Sequence, residues 1–249
     1  MKIYLVAGGK EDLIYLYKNR APYILISYFY FKNLVEKEDI RKYFEHAKDV
    51  IIDSGAFTFL NNPQRKENFD EYINGYIKFV KKLNVKHFIE TDIDPMVGYK
   101  KVLEYRDKIE QGVGYKCIPV WHKSRGLKEW ENIIEKYEYV GIGGIVTGEI
   151  KKTDFALFDY LLNLANKEKV KVHGLGITSL KLLKRLPFYS VDSLSWRVNV
   201  AWGKLSYFNK DDLENYNCEK YKNNKDYRNT IDFNCKEWTK FAYWAEMHL

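Results

Sequence analysis

Eight short apolar runs, separated by amphipathic stretches, constrain the fold of this chain more than any other feature of its sequence. Uninterrupted apolar runs of this length are typical of parallel strands that are buried on both faces of a sheet. The alternation with amphipathic stretches therefore predicts a parallel α/β sheet. The eight predicted strands are 2–7, 23–29, 49–53, 86–91, 117–121, 138–143, 170–175 and 189–193.

Eight such strands in a chain of 249 residues favour closure into a (β/α)8 barrel of the TIM type, which takes about 250 residues. An open, doubly wound sheet is the alternative. Its dinucleotide fingerprint is absent, because the first run is followed by Gly8-Gly9-Lys10 without a GxGxxG pattern. We expect a catalytic barrel domain at 1–195 and a C-terminal helical extension at 196–249 that packs on the barrel.

Apolar residues at helical spacing predict helices over 34–47, 69–80 and 155–165, with Asp70 and Thr153 as candidate N-caps. The tail is more polar: 209–229 is rich in Asn, Lys and Tyr and is expected to be a loop. A final helix is predicted over 235–247. We expect its apolar stripe to pack against the barrel; the stripe comprises Trp238, Phe241, Trp244 and Ala245.

Charge and cysteine content narrow the functional classes. The chain has 41 Lys and Arg against 34 Asp and Glu, a net charge of +7, which favours an anionic partner without identifying it. Cys117, Cys218 and Cys235 are widely spaced, so neither a disulfide framework nor a cysteine zinc site is expected. Because the cysteines show no disulfide pattern, we expect a cytoplasmic protein. No membrane span is expected, since no apolar run approaches about 18 residues.

Polar residues follow the predicted strands at the end where barrel enzymes build their active sites. Several carboxylates at one barrel mouth repel one another, so the pKa of some of them is expected to rise. A carboxylate can also attack an anomeric carbon. In chain order the candidates are Asp53, Ser54, Gly55, Asp92, Asp94, His122, Gly143, Gly144, Glu149, Gly174 and Asp192.

Structural roles are the alternative for each candidate taken singly. Asp53 and Asp192 stand where an aspartate can cap a turn, and Asp92 or Asp94 can cap a helix that starts near residue 96. His122 can be a satisfied, partly buried histidine. Their occurrence on successive strand ends is what favours a shared site.

Four segments, in this order, resemble the tRNA-guanine transglycosylase superfamily. They are IIDSGAF at 51–57, GIGGIVTGE at 141–149, VHGLGI at 172–177 and SVDS at 190–193. The resemblance covers about 50–195. It implies that Asp192 is the nucleophile that attacks C1′ of the target nucleoside, and that Asp53 contacts the base and handles its proton.

The resemblance also implies base recognition by Asp92 or Asp94, by the backbone of Gly143 and Gly144, and by Glu149. His122 stands where the family has a base-contacting Gln. The cluster of three Cys and one His that binds structural zinc in the tRNA enzymes has no counterpart here, so no metal is expected.

Without the zinc element, the chain resembles most the compact, often virus-borne branch called DpdA, which inserts 7-deazaguanine derivatives into DNA. The implied activity is exchange of guanine for a 7-deazaguanine base such as preQ0, in DNA rather than tRNA, through a covalent Asp192–sugar intermediate. No cofactor is required by this chemistry.

Three other functions compete with this interpretation. Paired carboxylates suit a glycoside hydrolase, and the glycine-rich ends of strands 6 and 7 suit a phosphosugar enzyme, with a small substrate in either case. A barrel that binds nucleic acid without catalysis is the second. A metal hydrolase using His122, Asp92 and Asp192 is the third, although HxH and HExxH spacings are absent.

Overall fold

The chain forms a parallel β-barrel with helices on its outside. The computed structural model describes residues 1–61, 67–151, 154–177, 179–217 and 224–249. All eight predicted strands are confirmed, with somewhat shorter bounds at several of them. They are β1 Lys2–Ala7, β2 Tyr23–Ser27, β3 Asp49–Asp53, β4 His87–Phe88, β5 Val120–Trp121, β6 Tyr139–Ile142, β7 Lys171–Gly174 and β8 Ser190–Ser193.

The strands follow the order β4-β3-β2-β1-β8-β7-β6-β5, with every neighbouring pair parallel. The two outer strands, β4 and β5, meet through a parallel bridge between Ile89 and Ile118. Hydrogen bonds from Ile118 N to Phe88 O (2.8 Å) and from Glu90 N to Ile118 O (3.1 Å) support that bridge. The predicted TIM-like barrel is therefore confirmed, and the open doubly wound sheet is not.

Side chains alternate between the barrel interior and the outer helical layer along each strand, as the two-residue period requires. On β1, Ile3 and Leu5 join the core beneath the helices, while Tyr4 joins a separate interior cluster. Tyr23 and Tyr139 belong to the same interior cluster. Large tyrosines thus fill the barrel interior below the C-terminal ends of the strands.

The helices between the strands vary widely in length. Their bounds are α1 Lys10–Lys18, α2 Tyr28–Phe31, α3 Ala56–Leu60, α4 Phe69–Leu83, α5 Asp94–Val97, α6 Tyr99–Val113, α7 Leu127–Lys136, α8 Phe155–Lys167 and α9 Leu180–Leu183. The predicted helices at 69–80 and 155–165 correspond to α4 and α8. The N-cap of α4 is Asn68, whose side chain accepts a hydrogen bond from Glu71 N, and not Asp70. Asp154 precedes α8, and Thr153 lies outside the described residues.

The predicted helix at 34–47 is wrong. That segment contains turns and one short 3-10 helix, Ile40–Tyr43. Asp39 has extended backbone angles (φ −78°, ψ 103°), which no helix through it allows, and its side chain accepts a hydrogen bond from Arg41 N. Ile40 and Phe44 are nevertheless buried. The apolar spacing in this segment therefore indicated which residues are buried, but it did not indicate a continuous helix.

The C-terminal extension contains more structure than the sequence predicted. Helix α10, Ser195–Ala201, is followed by a hairpin of β9 Lys204–Asn209 and β10 Asp212–Asn217, and then by α11, Asn224–His248. The loop predicted over 209–229 is therefore wrong, and the final helix begins before residue 235. Trp238, Phe241 and Ala245 are buried as predicted.

Helix α11 also covers one edge of the hairpin. Ser206 N donates to the Asn234 side chain (2.8 Å) and Phe208 N donates to the Glu237 side chain (3.0 Å). These bonds satisfy strand donors that would otherwise face no partner strand.

The state of the cysteines and the presence of membrane-spanning helices can both be examined in the structure. Cys117 and Cys235 are buried free thiols, and Cys218 lies outside the described residues. Across the described ranges, none of the helices is both long enough and apolar enough to cross a membrane.

Candidate active site

A cavity of about 460 Å³ opens at the C-terminal ends of the strands, within the size range of small-ligand sites. It brings together seven of the predicted site residues. These are Asp53, Gly55, Asp92, His122, Gly143, Gly144 and Asp192. The other predicted site residues lie beside or beneath the cavity.

Asp53 ends β3 and projects into the cavity. Its Oδ2 accepts a hydrogen bond from Gly55 N at 2.9 Å. Burial, together with the negative charges of Asp92 and Asp192, raises the pKa of Asp53 to about 7, although hydrogen bonds from Ser27 and Gly55 N act in the opposite direction. A carboxyl group with this pKa exchanges a proton readily near neutral pH, which is what a general acid or base needs.

Asp192 lies near the C-terminal end of β8 and lines the same cavity. Its hydrogen-bond partners differ from those of Asp53. Its Oδ1 accepts a hydrogen bond from Gly176 N at 2.9 Å and lies 3.1 Å from His173 Nε2. Hydrogen bonds to a carboxylate oxygen stabilise the ionised form. The cavity therefore holds one carboxyl group whose pKa is raised by burial and a second whose Oδ1 is held by Gly176 N and lies beside His173.

A carboxylate–imidazole–carboxylate bridge forms a third side of the site. His122 Nε2 lies 2.8 Å from Asp92 Oδ2, and His122 Nδ1 lies 3.2 Å from Glu149 Oε2. Burial alone would lower the pKa of His122, but the hydrogen bond and charge of Asp92 and the charge of Glu149 outweigh it and raise the pKa. When protonated, His122 offsets part of the negative charge that the three cavity aspartates bring together.

The glycines at the end of β6 make room for this bridge. A Cβ atom on Gly143 would lie 2.6 Å from His122 Cε1, so the imidazole packs directly against the backbone. Gly143 N donates to Trp121 O and Ile150 N donates to Gly144 O, both at 2.9 Å. Gly143 therefore positions His122 in addition to lining the cavity.

Asp94 points away from the cavity into a buried ion network. Arg125 donates from Nε and Nη2 to the two oxygens of Asp94, at 2.8 and 2.6 Å, and from Nη1 to Glu90 at 2.8 Å. Arg106 contributes a second cation, 2.6 Å from Glu90. Of the two aspartates that the sequence left open, Asp92 is the one that lines the cavity.

Three further predicted site residues lie outside the cavity lining, namely Ser54, Gly174 and Glu149. Ser54 is fully buried, and its carbonyl accepts a hydrogen bond from Tyr72. Gly174 is packed under Ile177 and Phe188. Glu149 accepts a bond from Ser124 N and acts on the site through His122.

Several cavity residues were missed by the sequence interpretation because they are apolar or follow the strand ends as ordinary loop residues. They give the cavity mainly apolar walls, and none of the described lining residues is Lys or Arg. The missed residues include Val6, Tyr30, Phe57, Val146, Leu175, Gly176, Leu194 and Val198.

Within the described ranges, no group of three or more His, Cys, Asp or Glu side chains is arranged to hold a metal ion. His122, Asp92 and Asp192 are thus not gathered as the metal-hydrolase hypothesis would require. The nitrogen atoms of His122 face Asp92 and Glu149 instead.

No protein-family model and no curated protein matches this sequence. Solved structures with a similar fold include a protein from Coccidioides immitis that has been proposed to be a fructose-1,6-biphosphate aldolase. It is 10% identical, the match covers 99% of this chain and 92% of that chain, and the TM-score is 0.57. At this identity the likeness establishes the barrel fold alone.

Proposed function

We propose that the cavity is the active site of a base-exchange glycosyltransferase, with Asp192 as nucleophile and Asp53 as proton carrier. The observation that supports this most strongly is the contrast between the two aspartates. Burial raises the pKa of Asp53 to about 7, whereas Oδ1 of Asp192 accepts a hydrogen bond from Gly176 N and also lies 3.1 Å from His173 Nε2. Two carboxyl groups with different surroundings in one cavity suit a division into acid–base and nucleophilic roles.

The reaction proceeds in two displacements. A carboxylate oxygen of Asp192 forms a bond to C1′ while the bond from C1′ to the base nitrogen breaks. The departing base keeps that electron pair and takes the proton of Asp53, which becomes a carboxylate. An incoming base loses its ring proton to Asp53 and attacks C1′, which releases Asp192.

The walls of the cavity support a flat, uncharged base. Leu25, Ile89 and Leu175 line it together with the apolar residues of the rim, and such walls exclude water from the reacting carbon. Asp92 lines the same cavity and carries an acceptor oxygen suited to the N–H edge of a guanine-like base. Together with the family resemblance, these features make a 7-deazaguanine the expected incoming base. The expected partner is a nucleic acid, with DNA favoured over tRNA.

A second candidate is an enzyme that acts on a small sugar or sugar phosphate. The fold similarity to the proposed aldolase from Coccidioides immitis supports it, because phosphosugar enzymes are common among TIM barrels. The two aspartates would also serve a glycoside hydrolase. In that case the substrate is small and the net charge of +7 has no part in its recognition.

One assay separates the candidates. Purified protein is incubated with isotopically labelled guanine or a labelled 7-deazaguanine and with DNA, tRNA or neither, and nucleosides are analysed by mass spectrometry. We expect label in DNA nucleosides. Hydrolysis of small glycosides, or turnover of a sugar phosphate, with no label in either nucleic acid would favour the second candidate and refute the first.

A further inference from the structure

We infer that His173 is the positioning residue for the nucleophile, and that it leaves Oδ2 of Asp192 as the attacking oxygen. This inference rests on the proposed role of Asp192. His173 lies on β7, one residue before Gly174, and is fully buried inside the barrel. Both ring nitrogens of a fully buried histidine require hydrogen-bond partners, and these partners determine which nitrogen carries the proton.

Both nitrogens have defined partners. His173 Nε2 lies 3.1 Å from Asp192 Oδ1, and His173 Nδ1 lies 2.7 Å from Ser190 Oγ. Ser190 Oγ in turn lies 2.5 Å from the Tyr139 hydroxyl. A continuous chain of hydrogen bonds thus runs from the cavity into the barrel interior, across three strands.

When Asp192 is ionised and His173 is neutral, this chain can be directed in one consistent way. Tyr139 donates to Ser190, Ser190 donates to His173 Nδ1, and the Nε2–H group donates to Asp192. Since an ionised carboxylate only accepts hydrogen bonds, Nε2 must carry a proton in this state. The hydroxyl groups of Ser190 and Tyr139 therefore select the tautomer that stabilises the nucleophile as an anion.

The ring itself is held in place by aromatic neighbours. The ring of Tyr4 stands nearly perpendicular to that of His173 at a centroid distance of 5.9 Å, and the ring of Tyr139 does so at 6.4 Å. Edge-to-face packing of this kind limits rotation of the imidazole. The direction of the Nε2–H bond is consequently set by the barrel interior and not by the ligand.

The two hydrogen bonds to Asp192 end on the same oxygen. Gly176 N and His173 Nε2 both reach Oδ1, and the described residues provide no hydrogen bond to Oδ2. An oxygen with two donors has its lone pairs engaged, whereas Oδ2 keeps its lone pairs for a reacting carbon. The geometry therefore distinguishes a held oxygen from an attacking one.

The tautomer can be measured without any substrate. The chain has five histidines, so two-bond ¹H–¹⁵N spectra of ¹⁵N-histidine-labelled protein are simple, and His173→Phe identifies the signal of His173. We expect a protonated Nε2 in the wild-type protein and a changed pattern in Ser190→Ala. A His173 ring that carries its proton on Nδ1 alone would overturn the assignment, whatever reaction the enzyme catalyses.

Kinetics then tests the consequence. We expect His173→Phe to slow formation of the covalent adduct by about 10- to 100-fold, the range that corresponds to loss of one hydrogen bond to a charged group, with little change in KM. His46→Phe is the matched control, because His46 is partly buried and packs edge-to-face against Tyr17 of α1, away from this chain of hydrogen bonds. Unchanged adduct formation in a folded His173→Phe protein would refute the positioning role, whereas absence of any adduct in the wild-type protein would refute the proposed function instead.

Discussion

The raised pKa of Asp53 has a consequence for stability that can be tested without knowing the substrate. The pKa of Asp53 is about 7 in the folded protein against the ordinary value of 3.8. The folded state therefore holds a proton that the unfolded state releases between these two pH values. This contribution to stability is fully present below about pH 4 and is lost as the pH rises through about 7.

The magnitude follows from the size of the shift. About three pH units correspond to about 4 kcal/mol of unfolding free energy, since each unit is worth 1.36 kcal/mol. Asp53→Asn keeps the shape of the protonated side chain and removes the titration. We expect this variant to be close to the wild-type protein in stability at pH 4.5 and more stable by up to about 4 kcal/mol at pH 8.

Urea denaturation followed by circular dichroism, at half-unit steps from pH 4.5 to 8.5, measures this difference. Asp211→Asn is the matched control, because Asp211 is exposed and forms a surface ion pair with Lys184. A difference between Asp53→Asn and wild type that stays constant with pH, or that favours the wild-type protein at pH 8, would refute the reasoning about Asp53.

Three further outcomes are expected. Arg125→Leu should lower the unfolding free energy by about 3–5 kcal/mol in urea titrations, because Asp94 and Glu90 lose a buried cation; a loss below about 1 kcal/mol would contradict this. Gly176→Ala should lower both Tm and reaction rate, because Gly176 has φ +68° and an added Cβ would lie 2.2 Å from Val146; a wild-type rate would show that this loop does not hold Asp192. Elemental analysis should find no stoichiometric zinc, and one zinc per chain would disprove the prediction.

The barrel could be predicted from the sequence because its strands are buried on both faces and so form uninterrupted apolar runs. The mouth followed from the same argument, since the end of each parallel strand marks the same side of the barrel. Asp53 and Asp192 were found in this way. The sequence did not distinguish Asp92 from Asp94. The distinction depends on Arg125, which follows β5 and binds Asp94, a residue that follows β4.

Other features had no usable local signal. The hairpin of β9 and β10 turns at Lys210, which has φ 54°, and the sequence there contains no Asn-Gly or Asp-Gly pair that would predict such a turn. His173 lies within an apolar strand, where a histidine is more often a packing residue than a functional one. Its significance depends on Ser190 and Tyr139, which belong to two other strands.

Asp192 is proposed to form a covalent bond to the sugar, and this bond can be detected directly. Wild-type protein and Asp192→Asn are each incubated with guanine-containing DNA, denatured, and examined by gel electrophoresis and intact mass spectrometry. We expect a denaturation-resistant protein–DNA adduct with the wild-type protein and none with Asp192→Asn, although the variant folds and binds DNA. An adduct of equal yield with Asp192→Asn would contradict the account and assign the nucleophile to another carboxylate.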